Sequence, residues 1–434
     1  MDVKITPVLL EGNVDIKSSK SDVHRLLICA ALANESTEIL IKGISEDIQA
    51  TINCLEKLGA KIVEKTTNVF YVEPIKRKPI NMPQKPKDII ELDCGESGST
   101  LRFLLPVAAA LGNRVIFKGK GRLPTRPLEE LKKALIKHGC VFKNLSSEAY
   151  LPLSLEGKVT SGIFSVPGNI SSQFITGLLL SFPILNEEST INLTTFIQSK
   201  GYIDLTINTM KKFGVNILEG NQSYTINRGE YYSSPLKIEA EGDWSNAAFW
   251  IVAGALASPI TCHGLNDDSL QGDKKIVSLL VKSGALLNWN LNSLKSSRGN
   301  SQYLESLEID ASEIPDLVPI LAVLATAANG ITKIYNANRL RMKESDRLLS
   351  TANFLNALGG QVEETEDSLI IKGLGSLRGG IVDSVSDHRI AMAATIASVI
   401  CKDPVIIQGA EAVNKSYPDF FNDFKQLGGF VDVI

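Results

Sequence analysis

Residues 48–63 read Ile48-Gln-Ala-Thr-Ile-Asn-Cys-Leu-Glu-Lys-Leu-Gly59-Ala-Lys-Ile-Val63. Ile48, Ile52, Leu55 and Leu58 recur at helical spacing, so one face of this stretch is apolar. Gly59 stands where a helix takes a left-handed C-cap residue, and β-forming residues follow. The same grammar returns at Leu128…His138-Gly139-Cys140, Ile203…Phe213-Gly214-Val215 and Lys275…Ser283-Gly284-Ala285. It returns again at Leu349…Leu358-Gly359-Gly360 and Phe420…Leu427-Gly428-Gly429. The six glycines are spaced 69 to 80 residues apart. Regularity on that scale marks an internal repeat.

Each amphipathic helix is preceded by a more apolar, alanine-rich one. The spacing predicts these at residues 23–33, 100–111, 173–182, 246–257, 315–328 and 388–400. A helix that is apolar all round must be covered on every side. Each repeat therefore offers a buried helix, a half-buried helix and several strands. The class is α/β with helices inside and sheets outside, and six repeats divide into three plus three. The polar stretches Lys17-Ser-Ser-Lys20 and Glu239-Ala-Glu-Gly-Asp243 are the candidate crossings between the halves.

Composition excludes several classes. The chain has 434 residues, too many for one core, so two domains are expected. Hydrophobic residues make up 44% and charged residues 21%, as in a globular protein rather than a disordered one. Basic and acidic residues number 45 and 48, a net charge of −3, with no basic excess for nucleic acid or a membrane surface. The start has no basic and apolar pattern of a signal peptide, and no apolar run reaches the ~20 residues of a spanning helix. The six cysteines are scattered and read as reduced core thiols of a cytoplasmic protein. There is no phosphate-binding P-loop and no dinucleotide fingerprint, and the four histidines lack metal-ligand spacing.

The informative charges lie at the starts of the buried helices. These read Lys20-Ser21-Asp-Val-His-Arg25, Gly95-Glu-Ser-Gly98-Ser-Thr-Leu-Arg102, Ser171-Ser172-Gln173, Asp243-Trp-Ser245, Pro315-Asp316 and Asp387-His388-Arg389. Helix N-termini suit anions, although Ser and Asp are also ordinary caps. Lys20 and Arg25 heading an apolar helix require an anionic partner. Arg122 and Arg126 share a stiff turn, Arg339 to Arg347 packs six charges into nine residues, and Lys415-Ser-Tyr-Pro-Asp419 precedes the last helix. Cations gathered at helix starts in a slightly acidic protein suit small, highly charged anions.

These segments together resemble the enolpyruvyl transferase family, and within it the enolpyruvylshikimate phosphate synthases. The resemblance rests on Lys20-Ser21…Arg25, Gly95-x-x-Gly98-x-x-x-Arg102, Arg122-x-x-x-Arg126-Pro127, Ser171-Ser172-Gln173-Phe174 and Ser199-Lys-x-Tyr202-Ile-Asp204. It continues through Ile314-Pro-Asp316, Lys343-Glu344-Ser-Asp-Arg347, Asp387-His388-Arg389 and Lys415-Ser-Tyr-Pro-Asp419. It implies a two-domain inside-out α/β barrel of six βαβαββ repeats, with buried helices and outer sheets. One domain is then 20–240, and the other, discontinuous, is 1–19 plus 241–434. The family relative that uses UDP-N-acetylglucosamine carries a cysteine on the loop that here reads Gly119-Lys-Gly-Arg-Leu-Pro-Thr-Arg126, and this loop has none. This chain departs from the family pattern at Glu96 and at Arg339, where asparagine is usual.

The reaction implied is transfer of the enolpyruvyl group of phosphoenolpyruvate to the 5-hydroxyl of shikimate 3-phosphate, with release of phosphate. The resemblance assigns Lys20, Gly98, Arg126, Gln173, Arg347, Arg389 and Lys415 to phosphoenolpyruvate. It assigns Ser21, Arg25, Ser171, Ser172, Gln173, Ser199, Tyr202, Asp316, Arg339 and Lys343 to shikimate 3-phosphate. Asp316 is expected as base for the hydroxyl, Glu344 as proton shuttle at the methylene carbon and Lys20 as acid for the leaving phosphate. No metal and no organic cofactor is expected. The partners are then the two small anions alone, without nucleic acid or membrane, and the protein a cytoplasmic monomer.

Overall fold

The computed structural model describes residues 1–76, 88–185, 187–299 and 304–434. Twelve α-helices lie among them: α1 (Lys20–Ala31), α2 (Glu46–Lys57), α3 (Gly98–Ala110), α4 (Glu129–Lys137), α5 (Ser172–Ser181) and α6 (Lys200–Lys212), then α7 (Trp244–Leu256), α8 (Ile276–Lys282), α9 (Val318–Ala327), α10 (Arg347–Ala357), α11 (His388–Ala397) and α12 (Phe420–Gln426). The six repeat glycines end the even-numbered helices. All six hold positive φ, from 81° at Gly214 to 109° at Gly59. In each, the N–H of the residue after the glycine reaches back to the carbonyl four residues before it, as from Ala60 to Leu55 at 3.0 Å and Gly429 to Phe424 at 2.9 Å. A side chain other than glycine would strain that turn six times over.

The odd-numbered helices are the apolar ones, and their burial is close to complete. In α1 only Lys20 and Ser21 are not buried, in α3 only Ser99, in α5 only Gln173 and in α7 only Ser245. In α11 every residue is buried. In these five helices the residues that keep solvent contact are polar and sit at the N-terminal turns, whereas in α9 it is the terminal Ala327. The predicted helix at 315–328 begins as a 3-10 turn, Pro315–Leu317, before α9. Pro319 lacks an N–H and sits near the start of α9, where none is needed.

Among the described residues six sheets have four strands, and all six share one order. Ile90–Asp93 pairs parallel with Val115–Lys118, which pairs antiparallel with Leu153–Glu156, which pairs antiparallel with Val141–Asn144. The others repeat this parallel, antiparallel, antiparallel sequence. Strands alternate buried and less buried residues, as in Val115–Lys118, so each sheet has one face on the core. A further pair, Leu304–Glu305 with Ala328–Asn329, is parallel.

The chain divides into two compact units, residues 20–240 and residues 1–19 with 241–434. Each has its own apolar core. The first unit recruits its last strand, Lys237–Glu239, beside Thr37–Leu40. In the second, Val3–Thr6 lies between Val405–Gln408 and Phe430–Val433. The two stretches that lead in and out of the first unit pair with each other: Ser18 bridges Gly242, and Asp243 N–H donates to Lys17 O at 2.9 Å.

Candidate active site

In the 20–240 unit the helix starts of α1, α3 and α5 carry the predicted groups. Lys20 Nζ lies 2.8 Å from Asp47 Oδ2 at the first turn of α2. Arg25, one turn into α1, is buried, and donates to Thr206 Oγ1 at 2.8 Å and to the Tyr202 carbonyl at 2.9 Å. It also donates to Ser21 O. Burial lowers its pKa to about 10, against the pull of Asp22. The guanidinium remains charged at neutral pH, so Arg25 presents a fixed cation on a rigid helix.

At the start of α3, backbone and cations come close together. A Cβ on Gly98 would stand 2.8 Å from Arg126 Nη1 and 3.0 Å from Arg102 Nη1. Arg102 donates to Gln173 Oε1 at 2.7 Å and to Pro127 O at 3.2 Å, and Gln173 Nε2 donates to Ser99 Oγ at 3.0 Å. Glycine here lets two guanidinium groups and a glutamine crowd a helix N-terminus, an anion cradle in form. Ser97 caps α3 by accepting from Thr100 N–H, whereas Ser171 makes no side-chain cap on α5. Ser199 precedes α6 in a left-handed conformation, φ 59° and ψ 47°. A serine held there is strained. Glu96, the departure from the family pattern, packs its carboxyl against Gly121.

The second unit assembles the remaining residues into one network. Asp316 Oδ1 accepts from Arg347 Nη1 at 2.7 Å and from Lys343 Nζ at 3.4 Å, and its Oδ2 lies 3.4 Å from Arg389 Nη2. Arg389 also donates to the Asp316 carbonyl at 3.0 Å. Arg347, wholly buried, reaches Glu344 Oε2 at 2.5 Å and Asp387 Oδ2 at 2.7 Å. Lys415 Nζ stands 4.0 Å from Glu344 Oε1. Asp387 also caps α11 and accepts from Ser345 Oγ. Arg339 lies in the 3-10 turn Asn338–Met342, close enough to Lys343 to depress its pKa.

These contacts set protonation states. Burial would raise the Asp316 pKa, but Arg389, Lys343 and Arg347 outweigh it and hold the carboxyl well below its ordinary range. Burial pulls Lys343 down to about 8, with Arg347 and Arg339 acting in the same direction and Asp316 and Glu344 opposing. Asp273, buried and hydrogen-bonded to Ser245, moves the other way, to about 6, because of burial and the nearby charge of Asp316. Two carboxylates with opposed environments are a recurring sign of acid–base chemistry.

The structure thus gathers Asp316, Lys343, Glu344, Arg347, Arg389 and Lys415 in one unit. In the other it gathers Gly98, Arg126 and Gln173, with Lys20 on Asp47 and Arg25 on the Tyr202 turn. Sequence reasoning missed Asp47, Asp273 and the role of Asp387 as partner of Arg347. Asp47 and Asp387 lie at helix starts, where aspartate reads first as a cap.

Residues 5–424 match the family model of EPSP synthase (3-phosphoshikimate 1-carboxyvinyltransferase). The 3-phosphoshikimate 1-carboxyvinyltransferase of Clostridium novyi is 45% identical over 434 residues, covering 99% of this chain and 98% of that one. That of Clostridium acetobutylicum is 44% identical over 429 residues with the same coverage. Among solved structures, EPSP synthase from Acinetobacter baumannii has a TM-score of 0.81 at 23% identity, covering 100% of both chains. The enolpyruvyl transferase NikO from Streptomyces tendae has a TM-score of 0.78 at 17% identity, covering 99% of this chain and 98% of that one. At those identities the structural likenesses show the fold alone.

Proposed function

The chain belongs to the EPSP synthase family, and from that premise we propose how its residues divide the work. The reaction transfers the enolpyruvyl group of phosphoenolpyruvate to the 5-hydroxyl of shikimate 3-phosphate and releases phosphate. It serves the shikimate pathway of aromatic amino acid biosynthesis. An enol ether carbon becomes electrophilic only once its methylene is protonated. The enzyme must therefore supply an acid for that carbon, a base for the hydroxyl and cations for both substrates.

In this reading Asp316 takes the proton of the 5-hydroxyl. Its depressed pKa keeps it ionised but also makes it a weak base, and its three cationic neighbours hold its orientation. Glu344 carries the proton to the methylene carbon, held by Arg347 and near Lys415. Lys20 protonates the departing phosphate. To phosphoenolpyruvate we assign Lys20, Gly98, Arg126, Gln173, Arg347, Arg389 and Lys415. Shikimate 3-phosphate takes Ser21, Arg25, Ser171, Ser172, Gln173, Ser199 and Tyr202, with Asp316, Arg339 and Lys343. Fixed charges and helix ends aimed at developing charge supply the stabilisation.

The observation that carries this assignment is the buried network in which Asp316 and Glu344 share Arg347 at 2.7 and 2.5 Å. We further read each compact unit as a domain of three βαβαββ repeats forming an inside-out barrel. The common strand order and the buried odd-numbered helices support that reading. We place the protein in the cytoplasm as a monomer: all six cysteines are free and buried, as in a reducing compartment, and no described helix is long and apolar enough to cross a membrane. The test is phosphate release by purified protein. Release that requires shikimate 3-phosphate supports the roles given; equal release with UDP-N-acetylglucosamine would overturn them.

A further inference from the structure

Behind Lys20 and Gly98 runs a buried chain of side chains that the reaction leaves unused. His24 Nδ1 lies 2.7 Å from Thr51 Oγ1, Thr51 Oγ1 lies 2.6 Å from Thr100 Oγ1, and Thr100 Oγ1 lies 2.7 Å from Ser97 Oγ. All four residues are wholly buried. They join three elements: α1 through His24, α2 through Thr51, and the start of α3 through Ser97 and Thr100. One end is a turn from Lys20, and the other directly precedes Gly98. Asp47, the partner of Lys20, sits one turn before Thr51, and its carbonyl stands 3.4 Å from Thr100 Oγ1, farther than Ser97 Oγ.

Hydrogen counting fixes the direction of the chain, since each hydroxyl has one hydrogen to give. With Thr100 donating to Ser97, Thr100 must accept from Thr51. Thr51 must then accept from His24, which makes Nδ1 the N–H and leaves Nε2 bare. His24 Nε2 is buried without a hydrogen-bond partner. A bare ring nitrogen tolerates that place better than an orphaned N–H, which the opposite direction would bury. Burial, with Lys20 and Arg25 nearby, keeps the imidazole neutral by holding its pKa well below the ordinary value. The ring stands edge-on to Phe103, at 6.3 Å between centroids.

We propose that His24, as the Nδ1–H tautomer, is a positioning residue for enolpyruvyl transfer: through Thr51 and Thr100 it ties the turn presenting Lys20 to the turn presenting Gly98. This rests on the assignment of those two residues to phosphoenolpyruvate. The direction of the chain also leaves the hydrogen of Ser97 uncommitted within it, beside Gly98.

Two measurements on the full-length enzyme test the idea. Histidine-selective 15N labelling gives four ring systems, and the His24 signals are those lost in His24→Asn. A neutral Nδ1–H tautomer that does not titrate between about pH 5.5 and 8.5 is expected. A charged ring or an Nε2–H tautomer would overturn the proposal. In kinetics, His24→Leu removes the donor, whereas His24→Asn offers an amide near the Nδ1 position. Leucine should raise KM for phosphoenolpyruvate roughly five- to tenfold, the size of one buried hydrogen bond, with kcat within about twofold. Asparagine should restore most of the loss, and Thr51→Val should repeat the leucine pattern from another helix. Equal losses in the leucine and asparagine variants, or a loss in kcat alone, would count against it. Lys20→Ala with an unchanged KM for phosphoenolpyruvate would instead overturn the Lys20 assignment, while leaving the tautomer result intact.

Discussion

Arg347 donates from Nε to Asp387 Oδ2 at 2.7 Å, and solvent reaches neither side chain beyond 1%. Removing Asp387 leaves Arg347 with Asp316 and Glu344 but strips its buried Nε of a partner and uncaps α11. Asp387→Ala should therefore cost about 3–5 kcal/mol in urea unfolding. Glu130→Ala, which breaks the exposed Lys133–Glu130 pair, should leave the unfolding midpoint nearly unchanged. Similar losses in both would show that the buried network contributes no more than a surface ion pair.

Asp316→Asn and Glu344→Gln keep size while removing the groups proposed to transfer protons. Each should lower kcat roughly 100-fold or more, with substrate binding changed far less. Steady-state phosphate release measures the first, and titration of binding the second. A Glu344→Gln enzyme within a few-fold of the parent kcat would remove Glu344 from the role given to it.

Lys343, pulled to about 8 by burial, is charged below that pH and neutral above it. The contact we propose for it with shikimate 3-phosphate should therefore hold at neutral pH and weaken as pH rises. Affinity should fall by up to about tenfold per unit above the pKa of the free enzyme. Lys343→Arg, which stays charged, should flatten the profile between pH 7 and 9. An identical slope in the arginine variant would assign the titration to another group.

Gly98→Ala adds a Cβ 2.8 Å from Arg126 Nη1, the far end of a flexible side chain. The fold should tolerate it, with stability changed by no more than about 1 kcal/mol. The displaced guanidinium should raise KM for phosphoenolpyruvate roughly tenfold or more, and KM for shikimate 3-phosphate much less. Equal rises for both substrates would point to a general loosening of the helix start.

Much of this architecture was legible because it repeats. One glycine after one amphipathic helix carries little information, but six at even spacing show the unit, and all six hold the left-handed turn that the sequence implied. The cations at helix starts were legible because Lys20 and Arg25 head an otherwise apolar helix. Their acidic partners were not. Asp47 and Asp387 occupy positions that suit an ordinary cap, and pairing across 27 or 40 residues depends on which helices pack side by side. Asp273 was hidden for a related reason: its unusual environment comes from Asp316 and Ser245, both distant in the chain. The left-handed Ser199 had no sequence signal at all, since serine gives no hint of positive φ.

The pairing of Val3–Thr6 with Phe430–Val433 sets an order for birth on the ribosome. This strand is made well before either of its partners, which at 405–408 and 430–433 come about 400 residues later. At synthesis rates of roughly 5–20 residues per second, its two edges stay unpaired for about 20–80 seconds. Residues 20–240 meanwhile hold all the strands of their own sheets and can close first, as an insert within an unfinished partner. Val3 and Ile5, wholly buried at the end, are thus the apolar side chains longest exposed during translation, and the ones a nascent-chain chaperone has most reason to cover.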